Sequence, residues 1–338
     1  MSLWSWPWRT STGASGFGRS STAEEVTEGI DSHDLTAIVT GATNGIGKET
    51  ARVLALRGAE VIIPSRTIES GLQVKESLLE QNPSAKLHVM EMDLSSLDSV
   101  ETFARSFIST NKRLNILINN AGIMACPFQL SRDGIEMQFA TNHLGHFLLT
   151  KLLLEKMKST AKETGVQGRI INVSSSAHRR GYELPFSLDK LNEKSRQLGP
   201  IPYKLTLFSS FGSYKRFFAY GQSKLTNILH ANELSRKLQE EGSNVTANSL
   251  HPGLIQTNIT RFLGFSAAFV ICLKPFLKTI QQGAATTCYL ALNPKVKDAT
   301  GKYYVNCNEE NPLPEAKDKV LANKLWVFSE ELLRKGGK

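Results

Sequence analysis

The sequence predicts an α/β fold: one domain with a doubly wound parallel sheet and helices on both faces. Three observations carry this. From Asp34 onward, short apolar runs alternate with amphipathic ones, which is the pattern of βαβ units. The apolar runs are nearly continuous, as strands buried on both faces require. Polar or glycine features fall just after six of these runs, where ligands bind on such sheets.

Taken in order, Leu35–Val39 predicts the first strand and Gly45–Arg57 an amphipathic helix. Glu60–Ile63 is the second strand. Thr67–Gln81 is a helix stopped near Asn82-Pro83, because proline cannot continue it. Leu87–Met92 is a strand, Leu97–Thr110 a helix and Leu114–Ile118 a strand. Helical periodicity runs from Gly134 to Met157 through Phe139, Leu144, Phe147, Leu148, Leu152 and Leu153. Arg169–Val173 and Val245–Leu250 are strands on either side of a helix over Tyr220–Leu238.

Composition narrows the function. The 338 residues carry a net charge of +9, with 41% hydrophobic residues. The basic residues are dispersed, with no aromatic-interleaved patch, so no nucleic-acid partner is expected. Cys126, Cys272, Cys288 and Cys307 show no CxxC or Cys/His spacing, so neither a metal site nor a disulfide framework is expected. No apolar stretch reaches the ~18 residues of a membrane span. Phe262–Leu273 fits an interfacial or buried helix, a lipophilic substrate wall or a peripheral membrane contact. Residues 1–30 read as a flexible tail. Their first 23 residues hold six Ser, three Thr, two Arg and no acid, a composition shared with organelle transit peptides. Trp4, Trp6 and Trp8 alternate there, as indoles do at membrane surfaces.

The stretch Thr40–Gly47 contains Gly41, Thr43, Asn44, Gly45, Ile46 and Gly47 between strand and helix. A glycine turn of this kind lets backbone N–H groups approach a phosphate at the positive end of a helix. Arg66 ends the second strand. Dinucleotide sites selective for NAD place an acid there; a basic residue accommodates a 2′-phosphate and points to NADP(H). Asp93 and Leu94 follow the third strand and can meet an adenine, or Asp93 can serve the start of the next helix. Tyr220 and Lys224, four residues apart at the opening of a helix, share a face. A nearby ammonium favours the phenolate, so the pair can relay a proton in carbonyl/alcohol chemistry. Ser175 can donate to the substrate oxygen.

The ordered set Thr40-Gly-x-x-x-Gly-x-Gly47, Asn119-Asn120-Ala121-Gly122, Asn142, Ser175, Tyr220-x-x-x-Lys224 and Pro252-Gly253 resembles the short-chain dehydrogenases/reductases over roughly residues 34–310. The resemblance implies a Rossmann-type domain over 31–338 and hydride transfer with a nicotinamide cofactor. By position it makes Tyr220 the acid/base and gives Lys224 the nicotinamide ribose and the lowering of the Tyr220 pKa. Ser175 polarises the carbonyl and Asn142 supports a water relay. Asn119–Gly122 closes the cofactor cleft, and Pro252, Gly253 and Thr257 meet the nicotinamide end.

Phe139–Phe147, Ala219–Lys224 and Asn248–Gly253 further resemble the retinol-dehydrogenase-like branch. Within it they are similar to the plant group associated with the chloroplast inner-envelope import translocon. That resemblance implies NADPH and a peripheral inner-envelope location, the alternative being cytoplasmic. It also implies translocon subunits as partners, with a cofactor-sensing role as the alternative to turnover; a homo-oligomer is a further open reading. One departure stands out: Ser175 and Tyr220 are 45 residues apart, more than the family spacing. The surplus lies at Arg196–Gly212 and reads as a substrate lid or as an aberrant product of gene processing. Lys317–Lys335 is basic and amphipathic around Trp326. Such a helix is either a calmodulin-type target or a packed terminal helix.

Overall fold

In the computed structural model, the structure describes residues 12–181, 184, 186–192, 215–255 and 277–336. The three N-terminal tryptophans, the 196–212 insertion, Thr257 and Phe262–Leu273 lie outside the described residues. The strands are β1 (Thr36–Val39), β2 (Glu60–Ser65), β3 (Leu87–Glu91), β4 (Ile116–Asn119), β5 (Gly168–Val173), β6 (Val245–His251), β7 (Tyr303–Val305) and β8 (Asn308–Glu309). They form one sheet in the order β3-β2-β1-β4-β5-β6-β7-β8. All neighbours are parallel except β7 and β8.

The main helices are α1 (Gly45–Leu56), α2 (Ile68–Leu79), α3 (Leu97–Ser109), α4 (Gly145–Thr164), α5 (Arg216–Glu240), α6 (Ile280–Leu292) and α7 (Lys319–Gly336). Successive strand residues feed opposite cores, because side chains alternate across a pleated strand. Ile38, Ile62, Leu117 and Ile170 join α3, α4, α5 and α7 on one face. Ala37, Val39, Val61, Ile63, Ile116, Ile118 and Ile171 join α1, α2 and α6 on the other. The continuous apolar strands are thus consumed on both sides, as the sequence predicts.

Four elements depart from expectation. The Gly134–Met157 periodicity becomes a short helix at Met137–Phe139, a π-turn over Ala140–Leu144 and then α4, which runs on to Thr164. α5 starts at Arg216, one turn upstream of Tyr220. α6 shows no amphipathic stripe because it is buried nearly all round; its sequence signal is the capping box between Thr279 and Gln282. The segment expected as a tail packs from Gly13 onward. Ser15 N–H donates to Asn308 Oδ1 at 2.9 Å, Ala23 N–H to Gln281 O at 3.0 Å, and Asn293 Nδ2 to Val26 O at 2.9 Å. Phe17 meets the Tyr289 ring edge-on, and Ala23 and Val26 are buried. These partners are more than 250 residues away in the chain, so local composition does not reveal them.

The amphipathic C-terminal helix is packed. Leu325, Phe328 and Leu332 of α7 are buried, and the Trp326 ring sits 4.9 Å from Phe147 and 5.9 Å from His230. Its apolar face is covered by α4 and α5, and a calmodulin-type partner would have to displace that packing. Among the described residues no helix is long and apolar enough to cross a membrane.

Three buried histidines gather at this junction. Burial pushes the His143 imidazole well below its usual range, His146 down to about 4 and His230 down to about 3. Below pH 6.5 the unfolded chain takes up protons that the folded chain refuses. Stability is therefore full above pH 6.5 and falls as pH drops toward 4, by up to about 1.4 kcal/mol per pH unit for each histidine. Urea denaturation at pH 7, 6 and 5 measures this; equal stability at all three would contradict it.

Candidate active site

The strand order reverses between β1 and β4, and on such sheets the ligand crevice lies beyond the carboxyl ends of the strands at that point. Two turns face each other across it. After β1, Gly41 and Gly45 take positive φ (66° and 56°), which only glycine adopts freely. A Cβ on Gly41 would lie 2.8 Å from Ala121 Cα, and one on Gly47 would lie 2.3 Å from the Gly41 oxygen. Thr40 ties the turns together. Its Oγ1 accepts from Asn120 N–H at 2.9 Å and Ala121 N–H at 3.0 Å, while Asn120 Nδ2 donates to the Thr40 carbonyl at 2.8 Å.

The turn fits a dinucleotide pyrophosphate. The N-cap Asn44 makes no side-chain cap bond, and the first turn of α1 carries no acid. Its backbone donors and dipole are therefore available to an anion. By contrast, Thr67 and Ser96 cap α2 and α3. Thr43 and Ile46 line the same turn, with Ile46 packed on the α1/α6 core. Arg66 is exposed just after β2 and makes no hydrogen bond or ion pair among the described residues. Leu94 is buried beneath the start of α4, where its carbonyl lies 2.4 Å from the position a Gly145 Cβ would take. Asp93 closes the turn ahead of α3: its Oδ1 accepts from Ser95 N–H and Ser95 Oγ. Asn119 turns inward, its Nδ2 donating to Thr150 Oγ1 and Asn172 Oδ1. Pro252 is buried, and Gly253 (φ 102°) lies under the Lys278 stem at the end of β6.

The catalytic candidates converge on the same crevice. Gly181 and Gly221 bring the turn after β5 onto α5: a Cβ on Gly181 would stand 2.3 Å from Gln222 N, and one on Gly221 would stand 2.7 Å from Ala177 O. That approach brings the Tyr220 phenol close to the Ser175 hydroxyl. Lys224 Nζ donates to Val173 O at 3.0 Å and lies 5.8 Å from the Tyr220 ring centroid. Lys224 Nζ and Asn142 Oδ1 stand 3.3 and 3.2 Å from where a Gly122 Cβ would be. Asn142, in the π-turn, donates to Ile123 O and Ser223 Oγ and accepts from Ile123 N–H.

The electrostatics differ from the expectation that the ammonium lowers the phenol. Burial pushes Tyr220 up to about 12, with the neighbouring Ser175 hydroxyl pulling the other way. Burial also pushes Lys224 down to about 8. The ammonium is turned toward Val173 and Gly122, so desolvation outweighs Coulomb attraction and favours both neutral forms. Residues that sequence reasoning missed support the site from behind. Ser174 Oγ donates to Lys224 O at 2.6 Å, Asn227 Nδ2 to Val173 O at 3.1 Å, and His146 bridges Thr40 and Asn142. The only sequence signal for these was their adjacency to Ser175, Lys224 and Asn142.

Comparison with known proteins agrees with this geometry. Residues 35–185 match the short chain dehydrogenase family. The chain is 53% identical over 322 residues to the Brassica napus short-chain dehydrogenase TIC 32 A, chloroplastic, covering 95% of each.

The chain belongs to the short-chain dehydrogenases.

It is also 39% identical to human retinol dehydrogenase 14, over 89% of this chain and 87% of that one. Among solved structures, this short-chain dehydrogenase is similar to an uncharacterised protein from Mycobacterium paratuberculosis. The TM-score is 0.69 and the identity 32%, covering 93% of this chain and 98% of that one. The Pseudomonas aeruginosa RhlG/NADP complex shares the fold, with a TM-score of 0.60 at 22% identity over 81% of this chain and 94% of that one.

Gly47→Ala tests the glycine turn. Fluorescence titration should show dinucleotide affinity reduced at least about tenfold, or about 1.4 kcal/mol, with helix content unchanged. Unaltered affinity would remove this turn from the binding site.

Proposed function

We propose that the chain is an NADP(H)-dependent oxidoreductase interconverting a carbonyl and an alcohol on a small, lipophilic substrate. The observation that carries this is the convergence of buried Tyr220, Lys224 and Asn142 with Ser175 beside the glycine turn, at the strand ends flanking the reversal. When bound, the cofactor supplies or receives hydride at its nicotinamide ring. Tyr220 exchanges a proton at the substrate oxygen, and Ser175 donates a hydrogen bond to that oxygen. The phenol, raised to about 12, stays protonated at neutral pH and is poised as an acid, which suits carbonyl reduction. Lys224 keeps protons free, beyond its bond to Val173, for the nicotinamide ribose. The turns holding Gly41, Asn44, Gly45, Gly47 and Gly122 cradle the dinucleotide.

The uncommitted Arg66 supports NADP(H), since a guanidinium can fork onto a 2′-phosphate. Leu254, 51% exposed just beyond Gly253, supports an apolar substrate. A chloroplast location rests on the name and 53% identity of the Brassica relatives. Their similarity across 95% of the chain also favours a second reading: an NADPH-responsive component of the import machinery at the inner envelope, with little turnover.

Tyr220→Phe should reduce turnover by about 10²–10⁴-fold, the usual worth of a positioned acid/base, with NADPH affinity retained. Steady-state kinetics on a carbonyl panel measures it; wild-type turnover in this variant would sink the proposal. Arg66→Glu should weaken NADPH binding about ten- to a hundredfold, as loss of a charged hydrogen bond does, with little change for NADH. Equal losses for both cofactors would argue against a 2′-phosphate contact. In a protein-import assay the second reading makes Arg66→Glu damaging and Tyr220→Phe silent, whereas the first leaves import unchanged by either.

A further inference from the structure

His146 has no part in the chemistry just proposed, yet it touches both halves of the site. It is 2% exposed in the first turn of α4. Gly145 lets that turn begin against the Leu94 carbonyl, where any Cβ would collide. His146 Nδ1 lies 3.1 Å from the Asn142 carbonyl oxygen, and Nε2 lies 2.8 Å from Thr40 Oγ1.

These contacts determine the proton positions. A carbonyl oxygen only accepts, so Nδ1 carries the hydrogen. Burial keeps the ring neutral near pH 7, so Nε2 is an acceptor and takes the Thr40 hydroxyl proton. Both lone pairs of Thr40 Oγ1 then face the N–H groups of Asn120 and Ala121. Without His146 the hydroxyl's remaining acceptor is the Ile118 carbonyl at 3.3 Å, a longer bond in another direction. At its other end, the ring directs the carbonyl of Asn142 within the π-turn whose side chain stands beside Gly122 and Lys224.

We propose that His146 is a positioning residue coupling the cofactor turn to the Asn142–Lys224 end of the site, through one tautomer bonded at both nitrogens. The proposal rests on the oxidoreductase reading above. Its two ends have separate consequences: the Thr40 end sets cofactor affinity and the Asn142 end sets turnover.

The test compares His146→Phe, His146→Gln, His146→Asn and Thr40→Val in the full chain. Readouts are NADPH affinity by fluorescence, kcat and KM on the carbonyl panel, melting temperature, and amide exchange of residues 118–123 without cofactor. His146→Phe should lower kcat and cofactor affinity each about tenfold, the scale of a sub-ångström misplacement, with substrate KM little changed. His146→Gln offers a donor and an acceptor at its tip and should restore both. His146→Asn reaches only the Asn142 carbonyl and should restore kcat but not affinity. Thr40→Val removes the same bond from the far side, so the test survives if His146→Phe fails to fold. Its effect should not add to that of His146→Phe. Wild-type kcat and affinity in both His146→Phe and Thr40→Val, with only the melting temperature lowered, would overturn the coupling. Tyr220→Phe in the same assay separates the two ideas. If it turns over normally, the oxidoreductase reading fails, while affinity and amide exchange of the His146 variants still decide the coupling.

Discussion

The two turns that frame the crevice meet through one hydroxyl. Thr40 Oγ1 takes the N–H groups of Asn120 and Ala121, at the point where the chain's crossovers reverse direction. The helices that follow β1 and β4 leave toward opposite faces. The backbones of the two turns meet by direct approach, which is why Gly41 has Ala121 Cα where a side chain would be. With the turns locked together, α1 points its uncapped N-terminus into the crevice and Gly122 faces Lys224. The remaining geometry of the site depends on that seam.

Behind the seam lies a polar network buried in an apolar sheet. Asn119 links Thr150 to Asn172, and Asn172 reaches Asn227 O and the His230 ring. Lys224 and Asn227 share the Val173 carbonyl. Such networks stabilise when satisfied and cost heavily when broken, because a buried unpaired polar group cannot recover its water. The same low dielectric moves Tyr220 and Lys224 toward their neutral forms in the protein alone. The site is thus supported largely by groups that do no chemistry, and its chemical groups are tuned by burial more than by one another.

The α7 docking and the N-terminal packing extend the same economy outward. Trp326 closes over Phe147 and His230 on one face, while residues 13–30 lie against α6 on the other. Both segments read from sequence as accessories, and both are parts of the cores that hold the strands in register.

Much of this was legible in the chain. Nearly continuous apolar strands, their alternation with helices, and features at six strand ends predicted the doubly wound sheet and placed Gly41–Gly47, Arg66, Asn120–Gly122, Ser175, Tyr220 and Lys224 at one edge. Those signals are local: periodicity, turn chemistry and spacing act over a few residues. Only the tertiary structure decided the rest. It turned Asn119 into the core, engaged Asp93 with Ser95, began α5 a turn before Tyr220 and packed the supposed tail. It also brought His146 between Thr40 and Asn142, and made burial rather than the neighbouring charge govern the phenol. Each of these depends on which surfaces meet across the fold and how much water they exclude, and neither quantity is written in any short stretch of sequence.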